Sequence, residues 1–494
     1  MTAAVAWADT LDRLRQAPAL RGVRAYLVGG AVRDALLGRE PRDLDLAVDA
    51  DPAVLGPALA REVGGSYFLL AADTARLFLR DGSAVVDLHA LRGSIEEDLR
   101  RRDYTIDAMA VPLEAAAADD LCPIDPLGGR EDLRRRQVRL VSPAALEEDP
   151  LRLLRGPRLA AELDFSLEEA TADDIRRRAG LLPRAAPERQ RDELVRVLST
   201  PRAAHGLRLL DDLGLLARLV PEIEATRGVE QPKEHYWDVF GHLLETVAAL
   251  DMLLSTSPPE DGRELWSSFW APLDSLAEEL RRYLDDEPVL GRPRRALVKL
   301  AGLLHDVAKP QTKTFDASGR MRFFGHDKAG AQVAREVMAR LRFSQRESDL
   351  VATAVAHHLR LGHMSHAGPP TARAIYRFYR DCGEAAWAIL LLALADHLAT
   401  VGPALSPQGW LVHVGLVHYV LMEPARREAV VAPPRLVTGD DLMEHLGLGP
   451  GPIIGRLLER VREAQAEGKV STREEALALA RRALKRETRG EEAD

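Results

Sequence analysis

Asp43 and Asp45 stand two residues apart in the run DLDLAV, and on a strand that spacing sends both carboxylates to one face. Two like charges held together are unfavourable unless a cation lies between them, so the pair invites divalent metal. Two ions about 3.5 to 4 Å apart can activate an attacking hydroxyl and steady the leaving oxygen of an in-line phosphoryl displacement. Asp87, on the later run VVDLHAL, offers a third carboxylate to the same cluster. Just upstream, a strand-like AYLV runs into Gly29-Gly30 and then into the helix-like AVRDALL. Missing Cβ atoms let a phosphate approach the backbone there, and the free N–H groups of a helix start favour an anion.

A second set of metal-type side chains lies far downstream. His305 and Asp306 are adjacent near the end of KLAGLLHDVAKP, while His242, His326, the pair His357-His358 and Asp396 fall in other helix-like or helix-boundary segments. Adjacent side chains on a helix diverge by about 100°, so His305 and Asp306 reach one ion only where the helix ends or kinks. The mixture of imidazole and carboxylate suits Mg²⁺, Mn²⁺, Co²⁺ or Ni²⁺ better than a structural zinc site. Lys309 follows three residues after Asp306.

Positioning these groups takes two kinds of architecture. Between residues 24 and 111, short β-type runs (RAYLVGG, DLDLAV, AVVDLHAL, TIDAMAV) alternate with helix-like segments, the pattern of a small α/β domain. From about residue 140, apolar residues recur at three- and four-residue spacing, as in DPLRLLRGPRLAAEL and GAQVAREVMARLRF, which predicts helices almost throughout. The expected class is α+β, an α/β head on a long helical body. Residues 255–293 are acidic with prolines at both ends and read as an insertion or mobile loop. The tail from Glu487 reads as disordered.

With 494 residues the chain has length for three or four domains, and the 46% hydrophobic content suffices for folded cores. No uncharged apolar run approaches the roughly 18 residues a membrane helix needs, and the N-terminal segment lacks a leader's basic start and apolar stretch. A cytoplasmic protein with no membrane association is expected. Cys122 and Cys382 are far apart, which excludes a disulfide framework and a cysteine-based zinc site. The net charge of −9 argues against bulk electrostatic coating of nucleic acid, although arginine clusters at 100–102, 134–136 and 176–178 leave room for local basic faces.

The ordered blocks GGAVRD-x-LLG-x4-DLD, EEDLRRRDYTIDAMA, DPLGG-x2-DL and EDPLRLLRGPRLAAEL-x-F resemble the class II tRNA nucleotidyltransferases and related bacterial poly(A) polymerases of the polymerase-β superfamily, from about residue 25 to 230. The resemblance implies that Asp43 and Asp45 are the catalytic pair that binds Mg²⁺, with Asp87 beside them. It implies that Gly29, Gly30 and Arg33 hold the triphosphate, and that Arg102 and Asp103 of the RRD motif contact the ribose and phosphates. Glu148, Asp149 and Arg152 match the EDxxR motif that serves the family as an amino-acid template for the base. Pro150 suits a first helical turn, which makes positions 149 and 152 neighbours offering an acceptor and a forked donor. Arg155 and Arg158 match triphosphate-side arginines.

The downstream order H…HD…D resembles the HD phosphohydrolase superfamily, which implies His242, His305, Asp306 and Asp396 as core ligands of a divalent transition metal or Mg²⁺. His326 and His358 would be second-site ligands or phosphate binders, and the implied reaction is phosphoester hydrolysis, such as of a 2′,3′-cyclic phosphate at a damaged tRNA end. On these resemblances residues 1–138 form the nucleotidyltransferase head and 139–230 a helical neck and body. Residues 231–430 form the HD domain, with its insertion at about 255–293, and 431–494 a helical region facing tRNA.

Two departures stand out. Tyr104 and Asp107 replace the family's usual phenylalanine and asparagine. Complete CCA-adding members carry a flexible loop of roughly twenty residues between the third acid and the EEDL block, whereas here Arg92 runs almost directly into Gly93-Ser94-Ile95. In the family that loop reshapes the pocket from CTP to ATP, so its absence resembles the CC-adding subgroup. The implied partners are tRNA, CTP (ATP in the alternatives) and a separate A-adding enzyme acting in sequence. The alternatives are a complete CCA-adding enzyme, an A-adding enzyme, a poly(A) polymerase, or an HD phosphohydrolase whose N-terminal half only binds RNA.

Overall fold

The computed structural model describes residues 6–41, 43–80, 84–116, 121–274, 276–366, 368–426 and 428–488. These fall into two compact units, Met1–Val197 with Leu209–Leu219 and Leu198–Arg208 with Val220–Asp494.

In the first unit a mixed sheet runs in the order β3-β4-β5-β2-β1-β6. Its strands are β1 (Ala25–Val28), β2 (Asp43–Val48), β3 (Gly65–Ala71), β4 (Thr74–Leu79), β5 (Val85–Ala90) and β6 (Ala110–Pro112). The alternation DLDLAV works as a half-buried strand should: Leu44 and Leu46 are fully buried, while Asp43 and Asp45 point the other way. Each buried leucine contributes about 1.5 to 3 kcal/mol, and a one-residue slip would bury the carboxylates instead. Strands β2 and β5 pair in parallel, which sets Asp45 opposite Asp87. Helix α1 (Gly30–Leu36) follows β1, α2 (Ile95–Leu99) follows β5, and α3 (Arg152–Leu163) carries the body side of the site.

The second unit is helical apart from a short hairpin, Thr314–Phe315 with Met321–Arg322. Helix α4 (Val239–Leu253) packs on α5 (Arg294–Leu304) and on a later, strongly apolar helix, α8 (Ala386–Val401). Helices α6 (His326–Arg340) and α7 (Gln345–His357) pack on each other, and α7 also packs on α5. Most of α8 is buried, so its apolar length is accounted for by this core. Further on, α9 (Gly439–Leu446), α10 (Pro452–Ala466) and α11 (Arg473–Thr488) share a small core built on Leu442, Leu457, Val461 and Ala480.

Residues 255–293 depart from the expected mobile loop. They form helices at Arg263–Trp270 and Leu276–Asp285. Phe269, Trp270, Leu276, Leu280 and Leu284 are buried, and the Trp270 indole donates to the Leu253 carbonyl at 2.7 Å. Acidic residues on the outer faces hid an apolar stripe at helical spacing. The tail begins later than expected, since α11 continues through Thr488; the remaining residues, 489–494, lie outside the described residues.

Candidate functional site

The end of β1 turns into α1 through Gly29, whose φ of 70° and ψ of −140° belong to glycine. A Cβ there would meet Arg102 Nη1 at 3.0 Å and Asp45 Oδ2 at 3.1 Å, so the glycine also makes room for both side chains. Around this turn opens a cavity of about 410 Å³, of nucleotide scale, lined by Gly29, Gly30, Asp45, Asp87, His89, Arg102, Asp103, Arg152 and Arg155 among others. Asp43 sits at the exposed start of β2. Desolvation and the charges of Asp45 and Asp87 hold its carboxyl above the ordinary carboxylate range, the electrostatic signature of a site that favours a cation. Single donor atoms of Asp45, Asp87 and His89 lie within 4.8 Å of one another. Both oxygens of Asp87 also accept from Arg76, Nε and Nη2 each at 2.7 Å.

Asp103 is buried and pairs with Arg155 at 3.0 Å. Burial would raise its carboxyl, but Arg155, the Tyr104 N–H and Arg152 outweigh this and hold it below the usual range. Asp149 caps the turn into α3, accepting from Leu151 N–H at 3.1 Å. Its carboxylate is gripped by the guanidinium fork of Arg189, at 3.2 and 2.8 Å. Glu148 is exposed, 3.6 Å from Arg152. Arg33 and Arg158 do not line the cavity. Arg33 is buried between Asp34 (2.8 Å) and Asp107 (2.6 Å), and Arg158 between Glu162 (2.5 Å) and Glu193 (2.8 Å). Both guanidinium groups are already neutralised by carboxylates.

The second unit gathers all six of its expected ligands. Asp306 lies at the middle: its Oδ2 is 3.3 Å from the Nε2 atoms of both His242 and His305, and its Oδ1 is 3.2 and 3.6 Å from those of His326 and His358. Asp396 closes the first side, 3.1 Å from His242 and 3.7 Å from His305. The Nδ1 atoms of His305, His326 and His358 donate to the carbonyls of Gly302, Phe323 and Val355 at 2.9, 2.6 and 2.7 Å. Those bonds orient each ring so that its Nε2 faces the centre, the arrangement metal-binding histidines use. Asp306 Oδ1 is buried without a hydrogen-bond donor. Burial would lower His305, yet Asp306 and Asp396 push it up to about 10, so the cluster attracts positive charge. The residues would fit one or two divalent ions, since the two oxygens of Asp306 face different pairs of histidines. Lys309 is 2.5 Å from Asp306 Oδ2.

The sequence matches the poly A polymerase head domain over residues 25–80 and 70–139, the HD domain over 274–400 and tRNA nucleotidyltransferase domain 2 over 431–480. A CC-adding tRNA nucleotidyltransferase of Thermus thermophilus is 37% identical, covering 92% of this chain and 92% of its own. An A-adding tRNA nucleotidyltransferase of Deinococcus radiodurans is 36% identical, covering 93% of this chain and 95% of its own. This chain belongs to the tRNA nucleotidyltransferase family. Its fold is also that of a Thermotoga maritima CCA-adding enzyme solved with tRNA, with a TM-score of 0.58 at 22% identity over 96% of this chain and 95% of that one.

In this tRNA nucleotidyltransferase both residues of the first departure, Tyr104 and Asp107, have structural partners. The Tyr104 hydroxyl donates to the Arg152 carbonyl at 2.7 Å, and its ring fills a notch at Gly156, where a Cβ would fall 2.4 Å from the hydroxyl. Asp107 replaces an amide with the carboxylate that holds Arg33. Sequence reasoning missed Arg76, Arg189 and His89. His89 had a signal, since it follows Asp87 by two residues and shares its face. The two arginines had none, because their partners are 11 and 40 residues away.

Proposed function

We propose that this nucleotidyltransferase adds C74 and C75 to tRNA 3′ ends, using CTP, and leaves the terminal adenosine to a separate A-adding enzyme. The observation that carries the reading is the link after Asp87, where only Leu91, Arg92, Gly93 and Ser94 separate β5 from α2. A capping box closes it: Ser94 Oγ accepts from Glu97 N–H at 3.3 Å, and the Glu97 carboxylate from Ser94 N–H at 2.8 Å. That leaves no chain at this point for the loop that switches family members from CTP to ATP.

In this reading the tRNA 3′-hydroxyl attacks the α-phosphate of CTP and pyrophosphate leaves. Asp43 and Asp45 would hold a divalent cation, which would supply Lewis-acid stabilisation of the developing charge. Arg102 and Arg155 on the cavity wall hold the triphosphate, and Gly29 leaves the backbone open to it. Asp149 accepts from, and Arg152 donates to, the Watson–Crick edge of cytosine. The HD centre is a metal-dependent phosphohydrolase in this reading: His242, His305, Asp306 and Asp396 would hold a divalent ion, which would supply Lewis-acid activation of water and phosphoester. The division into a head to residue 138, a neck to 230, an HD domain to 430 and a tRNA-facing tail belongs to the same proposal.

Single-nucleotide-resolution extension of a tRNA lacking CCA, with CTP, ATP or both, tests it. Two cytidines and a stop support CC addition. The likeness to an A-adding relative favours a second reading; adenosine added to a tRNA already ending in CC would refute ours, and would establish the second if no cytidine is added to the tRNA lacking CCA. Hydrolysis of a 2′,3′-cyclic phosphate end that survives His305→Ala would refute the HD assignment.

A further inference from the structure

His89 occupies a place on the cavity wall that neither the base-reading nor the triphosphate-binding residues account for. On β5 it follows Asp87 on the same face, and in register it lies opposite Ala47 of β2 and Thr74 of β4. Ala47 has only a methyl group, so the imidazole leans past it to bring Nε2 within 3.7 Å of Asp45 Oδ1. Thr74 sets the other edge of the ring, with its Oγ1 3.4 Å from His89 Nδ1 and 3.3 Å from Asp73 Oδ1. The Asp73 carboxylate only accepts, so the Thr74 hydroxyl gives it its proton and receives the Nδ1–H of His89. This leaves the lone pair of Nε2 facing the lone pairs of Asp45. A separation of 3.7 Å is too long for a hydrogen bond. It lies inside the roughly 4.2 Å that two ligands about 2.1 Å from one ion can span.

We infer that His89 is an imidazole ligand to the divalent cation held at Asp45, which makes this head a nitrogen-containing metal site suited to Mn²⁺ over Mg²⁺. Imidazole favours the transition ions, whereas Mg²⁺ is served best by oxygen alone. The inference rests on the proposed metal-dependent nucleotidyl transfer in the head, and it adds to that reading the identity of a ligand and a metal preference. Asp73 takes part at one remove: it is also ion-paired to Arg92, and the chain Arg92, Asp73, Thr74, His89 fixes the ring from the short link after β5.

The test uses the full chain carrying His305→Ala and Asp306→Ala, which together break both candidate ligand groups of the HD cluster. Electron spin-echo modulation of bound Mn²⁺ should show coupling to a ¹⁴N nucleus, and His89→Ala and His89→Gln should each abolish it. Absence of the coupling before substitution, its persistence in His89→Ala, or no Mn²⁺ binding at all would overturn the inference. In parallel, the Mn²⁺ concentration for half-maximal CTP incorporation should rise by about tenfold in His89→Ala, the scale on which ligand-shell losses act. The Mg²⁺ requirement should change by less than about threefold, because Mg²⁺ gains little from imidazole. Full rescue by His89→Gln, which keeps a hydrogen-bonding group but ligates poorly, would mark His89 as a hydrogen-bonding residue only. If the unsubstituted enzyme incorporates no CTP, the proposed function fails while the spin-echo measurement still decides the role of His89.

Discussion

Replacing Gly29 by alanine tests whether the turn after β1 positions the catalytic carboxylate. The substitution carries two costs. First, φ of 70° with ψ of −140° lies in a region closed to L-residues, which costs about 1 to 3 kcal/mol. For a unit of this size that lowers its unfolding midpoint by roughly 2 to 4 °C per kcal/mol. Second, the new methyl would stand 3.0 Å from Arg102 Nη1 and 3.1 Å from Asp45 Oδ2. The arginine end can swing aside at little cost, but Asp45 is fixed by its strand and must shift its carboxylate. Misplacement of a reacting group on this scale costs about 100-fold in rate. Gly30→Ala is the internal control: the glycine begins α1, and its Cβ would meet only the end of Arg33, at 3.3 Å. Single-turnover CTP incorporation at saturating metal, with thermal unfolding of each protein, separates the two costs. Gly29→Ala should lose both rate and midpoint, and Gly30→Ala less than about tenfold in rate. Equal behaviour of the two variants, or a Gly29→Ala enzyme of normal rate, would refute the assignment.

Arg189→Ala breaks a half-exposed pair, so stability should fall by no more than about 1 kcal/mol. The preference for CTP over ATP should drop about tenfold, the order of one charge-assisted hydrogen bond, because Asp149 loses the fork that orients it; an unchanged preference in competition assays would refute this. Lys299 is buried against Asp251 at 2.7 Å and also donates to the Thr200 carbonyl at 2.7 Å. Lys299→Met should therefore cost about 3 to 5 kcal/mol by leaving a buried charge, and Asp251→Asn added to it should restore most of the loss in denaturant titrations. Burial raises the Glu162 carboxyl, but Arg158 and Arg196 outweigh this and hold it below its ordinary value. A depressed carboxylate stabilises the folded state above its unfolded pKa of about 4.3, and that contribution is lost as pH falls through the folded value. Wild type should thus unfold at higher temperature than Glu162→Gln at pH 7, with the gap closing below about pH 4; a gap that widens in acid would overturn the sign.

What was legible in the sequence was chemistry whose members must be contiguous or share a face. Asp43 and Asp45 on one strand, the glycine turn before α1, and the HD doublet each carry their geometry in their spacing. His242, His326, His358 and Asp396 were picked out by the ordered resemblance to the HD superfamily, since singly none differs from the other histidines and acids of these helices. What stayed hidden depends on partners distant along the chain. Arg33 and Arg158 look like free phosphate binders until Asp107, Glu162 and Glu193 are seen to hold them. The acidic stretch at 255–293 concealed buried aromatics at helical spacing, since composition averages over both faces of a helix.

Tyr104 and Asp107 bear on nucleotide choice when taken together. Tyr104 reaches from the RRD block to the Arg152 carbonyl at the start of α3, and it seats against Gly156 with no room for a methyl group. Asp107, three residues on, anchors α1 through Arg33. Asp103, one residue before Tyr104, pairs with Arg155 on α3. One short segment is thereby tied by buried polar contacts both to the phosphate-side helix and to the base-reading helix. Such contacts cost several kcal/mol to break singly, so the two walls of the pocket resist moving apart. An enzyme that must accept CTP twice and then ATP has to reshape its pocket between steps, and that motion would strain each of these bonds. An enzyme that accepts only CTP gains from them, because a fixed pocket rejects the larger purine by shape. The rigid coupling and the short link after β5 therefore favour the same proposed activity on independent grounds.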